Sequence, residues 1–369
     1  MPSGLAANLL MRLTRQKKTG TVVGLDIEAG SIAATEVQAN GSAQVTASAI
    51  GPLAPGAFHE GEVLDADKLA EALKSLFAEH KLAKQVRLGV GNQRVVVRMM
   101  RLPAIEDPKE MEAAVRFQAQ EQMPMPLDQA VLEHQVVGGV PAEEGSSPQV
   151  DVVVVAARRD MVSSFIGPLR RAGLEPVGVD LSAFGMIRAL AGNGEVSADA
   201  PTEPQPSATV LYCNVGDVTN LAVARGRACL FTRVSHVGLE AISDRLASTR
   251  ALDAETATQW LEHVGLEGPP EEIEGDPEMV AESRRALEEG VSGLIDELRL
   301  SLDYYGAQEG AVPVERIVLC GPGSAIAGMA VRMEGLGLPI AVARPAALAG
   351  LDDAAAARLT LPYGLALED

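Results

Sequence analysis

The chain has 369 residues with a formal net charge of −19, 47% of them apolar and only 3% aromatic. That length makes roughly two to four domain-sized pieces, with Val, Leu and Ala filling the cores. The acidity argues against a nucleic-acid partner, which needs a basic face to displace counterions from phosphates. Cys213, Cys229 and Cys320 are odd in number and sit in apolar strands. They read as buried free thiols of a reducing cytoplasm rather than as disulfides or a metal site. His59, His80, His134, His236 and His263 are dispersed without ligand spacing, so no metal is expected. No run of about 18 apolar residues occurs and the start lacks the apolar region of a signal peptide, so a chain that neither spans a membrane nor is exported is expected.

In residues 1–19, Leu5, Leu9, Leu10 and Leu13 fall at roughly helical spacing beside Arg12, Arg15, Lys17 and Lys18. Two readings stand: a short basic amphipathic helix lying on an anionic membrane surface, or a helical lead-in. Residues 21–38 give an apolar strand (Val22, Val23, Leu25, Ile27), a small-residue turn (Ala29, Gly30, Ser31) and a second strand. Asp26 stands where a metal-bridged phosphate needs a carboxylate, and Gly30 and Ser31 offer backbone N–H groups. The same design recurs at 209–224, and a third apolar strand at 316–320 runs into a Gly-rich turn. Two matched hairpins far apart in the chain imply two related half-domains facing each other across a cleft.

Between the hairpins, a strand at 43–50 and the stripe Leu69, Leu73, Leu76, Phe77 predict a strand and a core-facing helix, with Asp65 or Asp67 as its cap. Further strands at 86–90 and 93–102 end at Pro103, and a helix opens at Pro108. Strands at 130–137 and 150–157 complete a compact inserted module. A helix at 160–172 ends on Gly173, a strand covers 176–181, and a helix covers 183–190. Residues 192–207 are Pro-, Ser- and Glu-rich and read as a flexible linker. The second hairpin is followed by a strand at 228–234 and an acidic helical stretch, whose last helix at 282–305 carries Leu287, Val291, Leu294, Leu298, Ser301 and Tyr305 on one side. A helix from 325 to about 336 and a strand at 339–342 close the second half. The end, LTLPYGLALED, is short and acidic, with no element assigned.

These three segments in this order resemble the actin-like superfamily. RLPAIEDPKEMEAAVRFQAQEQMP at 101–124 and IDELRLSLDYYG at 295–306 resemble the PilM family of type IV pilus assembly proteins, the likeness running over about 22–365. The resemblance implies an α/β, ribonuclease H-like bilobal fold. Residues 1–19 form a lead-in, 20–92 with 173–197 a first core half, and 93–172 the inserted strand-helix-strand-strand module. Residues 198–207 form a linker, 208–238 with 313–369 a second core half, and 239–312 a helical subdomain. It further implies a scaffold on the cytoplasmic face of the inner membrane, touching the membrane only indirectly or through 1–18. The scaffold holds the N-terminal tail of a PilN-like membrane protein, with other pilus components and its own copies as further partners. Groove candidates are Val96, Arg98, Met100 and Arg101. An FtsA-like division protein is the alternative, but it is expected to end in a basic amphipathic membrane helix that LTLPYGLALED does not supply. A small-molecule kinase with Asp26 or Asp180 as base is a second alternative. It needs an intact phosphate cradle and a polar or aromatic insertion, where this chain offers Arg94, Arg98, Met99, Met100 and Arg101.

In ATP-binding actin-like proteins each phosphate turn carries an aspartate and then a glycine that lets the backbone approach the phosphates. Here the first turn reads Asp26-Ile27-Glu28. A carboxylate stands where phosphate would sit, and like charges about 4 Å apart repel by about 4 kcal/mol at a surface-like dielectric. The usual Lys falls at Ala33. The second turn reads Asn214-Val215-Gly216, followed by Asp217 and a retained Thr219. The third reads Gly321-Pro322, then Gly323 and Ser324, and loses an N–H donor. With Asp26, Gly30, Ser31 and Asp180, these residues outline a degenerate nucleotide cleft. The expectation is that ATP with Mg is held weakly or not at all and is not hydrolysed, so that no catalytic residue is assigned.

Overall fold

Apolar runs bounded by turn residues become two sheets of matching design. The computed structural model describes residues 20–39, 43–140, 147–191, 195–197, 208–308 and 310–367. The lead-in at 1–19 and the linker at 198–207 therefore lie outside the described residues. β1 (Thr21–Ile27), β2 (Ser31–Ala39) and β3 (Ala43–Pro52) form an antiparallel meander. A small hairpin, β4 (Phe58–His59) and β5 (Glu62–Val63), precedes α1 (Ala66–Glu79). Asp65, not Asp67, is the cap, accepting from the Asp67 and Lys68 amides, and Leu69, Leu73, Leu76 and Phe77 are buried. β6 (Gln85–Val90) runs parallel to β1.

The inserted segment then leaves the sheet as β7 (Val95–Pro103), α2 (Pro108–Gln122), β8 (Ala130–Val140) and β9 (Gln149–Arg158), pairing in the order β7-β9-β8. Asp107 caps α2, and Pro108 occupies its first turn, where a missing N–H does no harm. α3 (Arg159–Arg171) and β10 (Glu175–Leu181) return to the first sheet, whose order is β10-β6-β1-β2-β3. α4 (Ser182–Leu190) crosses to the other half.

The second sheet contains β11 (Glu195–Ser197), β12 (Thr209–Val215), β13 (Thr219–Arg225) and β14 (Ala228–Ser235). α5 (Leu239–Arg250), α6 (Ala254–Val264) and α7 (Pro277–Gly306) pack on one side of it, and β15 (Arg316–Cys320), α8 (Met329–Met333) and β16 (Ile340–Pro345) follow. Its order, β11-β16-β15-β12-β13-β14, repeats that of the first sheet with one added edge strand: an antiparallel meander, then two parallel strands beside its first member.

Three features differ from expectation. Residues 195–197, read as part of a flexible linker and assigned to the first half, form a strand that pairs with β16 of the second sheet. The helix expected from 325 to about 336 is broken into a 3-10 turn at 322–325, α8, and another 3-10 turn at 334–336, because Gly328 and Gly337 adopt positive φ. The third is α9 (Asp353–Ala366), formed by the tail to which no element was assigned. It is buried on nearly all sides and wedged against β1, β2 and α4. Here small residues set the spacing. A Cβ on Gly24 would lie 1.9 Å from the Pro362 carbonyl oxygen, and one on Gly364 would lie 1.8 Å from that of Gly185.

Candidate functional site

The two hairpin turns face each other at the base of the cleft, and α9 delivers Arg358 between them. Arg358 pairs with Asp26 and with Glu28 Oε2 (3.1 Å), and donates to Ser31 Oγ (3.0 Å) and to the Ser31 carbonyl (3.2 Å). Nothing in the sequence around LTLPYGLALED signalled this arginine; only the path of α9 brings it to the first turn. Across the cleft, the Asp217 N–H donates toward Glu28 Oε1 (3.4 Å) while the Asp217 carboxylate accepts the Ala29 N–H. At the mouth, His59 Nδ1 meets Glu240 Oε1 (2.8 Å) and the Glu60 N–H donates to Glu240 Oε2 (2.9 Å). Asp244 brings a third ligand-type atom within 4.8 Å of these two, although the sequence shows no such spacing.

The remaining cleft residues are engaged locally. Thr219 Oγ1 donates to the Val237 carbonyl (2.6 Å), Ser324 Oγ to that of Gly321 (2.7 Å), and Asn214 Oδ1 lies 3.8 Å from the Cys320 thiol. Pro322 opens the 3-10 turn beside Gly323, and Gly30 sits exposed at the tip of the first turn. Asp180, 3% exposed, is ion-paired with Arg188 of α4 and accepts the Leu181 N–H (2.8 Å), and Asp26 is tied to Arg358. Neither carboxylate is free to act as a kinase base. Burial raises the pKa of Glu28, with Arg358 opposing and Asp26 adding to the rise. Burial and the Glu28 charge raise that of Asp217 well above the usual carboxylate range. Burial works against the charge of Arg358, but Glu28 and Asp26 outweigh it. The cavity lined by Asp26, Glu28, Asn214 and Asp217 measures about 30 Å³. That is room for roughly one or two waters, an order of magnitude below a nucleotide pocket of about 300 Å³ or more.

The second feature is a groove on the inserted module. Strand alternation divides its sheet into two faces. Met100, Leu102, Val152, Val154 and Ala156, with Val96 at the margin, pack under α2 on Met111, Val115 and Ala119. Met100, at 2% exposure, is therefore core and not groove, contrary to expectation. Arg101 pairs with Asp151 (3.0 Å) at the surface. The opposite face looks onto α3, β10 and α4, and three adjoining cavities run from it round the edge of β7. One of about 340 Å³ lies along that edge, between Val95, Val96, Val97 and Arg98 and residues Thr232, Arg233 and Val234 of β14. A narrow waist lies at Val95, Val155, Met161 and Phe184. The third, about 320 Å³, is lined by Glu133, Val155, Phe184, Arg188 and Arg227.

Glu133, half-buried in this last cavity, has its pKa pushed from 4.5 to about 7 by burial and the Glu112 charge. The folded chain thus takes up a proton that the unfolded chain has released, and stability falls as pH rises from about 4.5 to about 7. Glu133→Gln is expected to remove that fall and to be more stable than the parent at pH 8 by about 1 kcal/mol, most of the linkage being screened at a partly exposed site. Urea denaturation of both chains at pH 5 and pH 8 checks it; equal stabilities at pH 8 contradict it.

Two sheets of the same strand order, each opening on a hairpin whose turn faces a shared cleft, define an actin-like protein. The chain matches the family model described as type IV pilus assembly protein PilM over residues 24–359 and belongs to that family. It is similar to a chain of the PilM-PilN type IV pilus biogenesis complex, at 25% identity over 95% of this chain and 98% of that one, with a TM-score of 0.76. More distant likenesses show the fold alone. The ethanolamine utilization protein EutJ from Carboxydothermus hydrogenoformans is 15% identical over 98% of this chain and 96% of its own, with a TM-score of 0.53. MreB5 of Spiroplasma citri bound to AMPPNP is 13% identical over 94% of this chain and 95% of its own, with a TM-score of 0.50. The family match agrees with the resemblance carried by the segments at 101–124 and 295–306.

Proposed function

We propose that this PilM-family chain is the scaffold of a type IV pilus machine on the cytoplasmic face of the inner membrane, holding the N-terminal tail of a PilN-like membrane protein in the module groove. The observation that carries the reading is the whole-length likeness to a chain of the PilM-PilN complex. The groove fits such a segment: Val95, Val155 and Phe184 give apolar footing, and Glu133, Arg188 and Arg227 give a polar rim. An extended tail lying along it would gain affinity from alternate side chains seated in these cavities. No helix among the described residues is long and apolar enough to cross a membrane.

The cleft takes ATP weakly or not at all and does not hydrolyse it. Arg358 engages the carboxylates where a metal-bridged phosphate would need them, and the 30 Å³ cavity has no room for one.

Titration calorimetry with synthetic N-terminal tails of inner-membrane pilus proteins from the same genome, and separately with Mg-ATP, tests both statements. Tail binding without nucleotide heat is expected. Val95→Asp and Phe184→Asp should each weaken the tail by about 100-fold, since a charge is forced into an apolar contact. Arg101→Ala, outside the groove, should stay within about twofold. Tail binding indifferent to Val95 and Phe184 would place the partner elsewhere, and micromolar Mg-ATP binding would overturn the cleft reading.

A further inference from the structure

We infer that Glu28, with Asp217 and Arg358, is a built-in substitute for a bound phosphate that holds the two halves of the protein together across the cleft. This rests on the degenerate-cleft reading and adds what replaces the nucleotide.

A phosphate between two such turns needs backbone N–H donors, a glycine close enough for contact, and a positive charge. Each need is already met by the protein itself. Glu28, projecting from the first turn, lies against the second: a Cβ on Gly216 would stand 2.2 Å from Glu28 Oε1, so the carboxylate occupies space that only glycine leaves open. The Asp217 N–H of that turn points at the same oxygen (3.4 Å). The exchange is reciprocal, because the Asp217 carboxylate accepts the Ala29 N–H of the first turn. Each hairpin thus receives a carboxyl group from the opposite half. The positive charge comes from Arg358, whose Nε lies 3.1 Å from Glu28 Oε2. Its planar fork also grips Asp26 and Ser31, so the counter-charge is held by a helix packed on both halves. The His59–Glu240 and Glu60–Glu240 contacts at the mouth tie the same two halves in the same sense. An incoming phosphate would have to displace Glu28 and strip Arg358 of its partner.

Pulsed EPR between spin labels at Lys74→Cys on α1 and Glu255→Cys on α6 reads the separation of the halves. Both positions are exposed and the three native cysteines are buried, so labelling is selective. The parent is expected to give one narrow distance distribution that Mg-ATP does not change. Glu28→Gly should broaden it toward longer distances and raise Mg-ATP affinity by about tenfold or more as the like charge is removed. Glu28→Gln, which keeps the shape, should open it partly, and Asp217→Ala should open it as Glu28→Gly does. Circular dichroism and tail binding report folding in each variant. A parent-like distribution in Glu28→Gly, Glu28→Gln and Asp217→Ala would overturn the inference while leaving the weak-nucleotide reading intact. A parent distribution that shifts with Mg-ATP would overturn both.

Discussion

Arg358→Met is expected to destabilise the protein by about 3–5 kcal/mol, the cost of leaving buried charge without its partner. Arg358 is 7% exposed and Asp26 8%, and the Glu28 side chain is 14% exposed, so little solvent reaches the carboxylates once the guanidinium is gone. Protonation relieves part of the strain, because Glu28 and Asp217 already have raised pKa values. The variant should therefore regain stability as pH is lowered, while the parent, whose own carboxylates stay paired, gains less over the same range. Arg358→Lys should rescue poorly. A single ammonium cannot reach Asp26, Glu28 and Ser31 together as the forked guanidinium does. Neutralising the partners as well, with Asp26→Asn and Glu28→Gln in the Arg358→Met background, should recover most of the loss. Thermal and urea unfolding measure this series. An Arg358→Met melting temperature within about 1 °C of the parent would mean that the cluster contributes less than about 1 kcal/mol, and Arg358 would not be the counter-charge that holds the cleft.

Gly364→Ala is expected to cost about 3 kcal/mol or more and to lower soluble yield. The added Cβ would stand 1.8 Å from the Gly185 carbonyl oxygen and 2.9 Å from the Ala189 Cβ. Neither is the mobile end of a long side chain, so α4 and α9 have to move apart, and overpacking of that kind exceeds the usual 1–3 kcal/mol range. Gly24→Ala should act alike from the other side of α9, its Cβ falling 1.9 Å from the Pro362 carbonyl oxygen. Gly30→Ala is the control. Its Cβ meets nothing within 4 Å, and a change within about 0.5 kcal/mol is expected even though the residue sits in a turn where a phosphate cradle was anticipated. Denaturant midpoints for the three variants decide the matter; a Gly364→Ala midpoint equal to that of Gly30→Ala would show that the helix pair tolerates separation.

The strands and most helices are legible because their signals are local. Alternation in residues 21–38, the Leu69 to Phe77 stripe and the Pro108 start of α2 each follow from spacing and local backbone chemistry that need no distant partner. The helix α9 escaped for the opposite reason. It is buried almost all round, so it shows no polar face and no amphipathic period, and Pro362 inside it reads as a breaker. The groove face was equally hidden. Val95 and Val96 are chemically alike, and whether odd or even residues of β7 meet solvent depends on which face α2 covers.

What the sequence determined by itself was the pair of matched hairpins, their order, and the loss of the usual phosphate-turn residues at Glu28, Asn214 and Pro322. Identity at those positions is a property of the chain alone. Only the tertiary structure decided what Glu28 does there. Its partners Asp217 and Arg358 lie 189 and 330 positions away, and an ion pair at that separation is set by the packing of β1, α9 and the second hairpin, not by any local pattern.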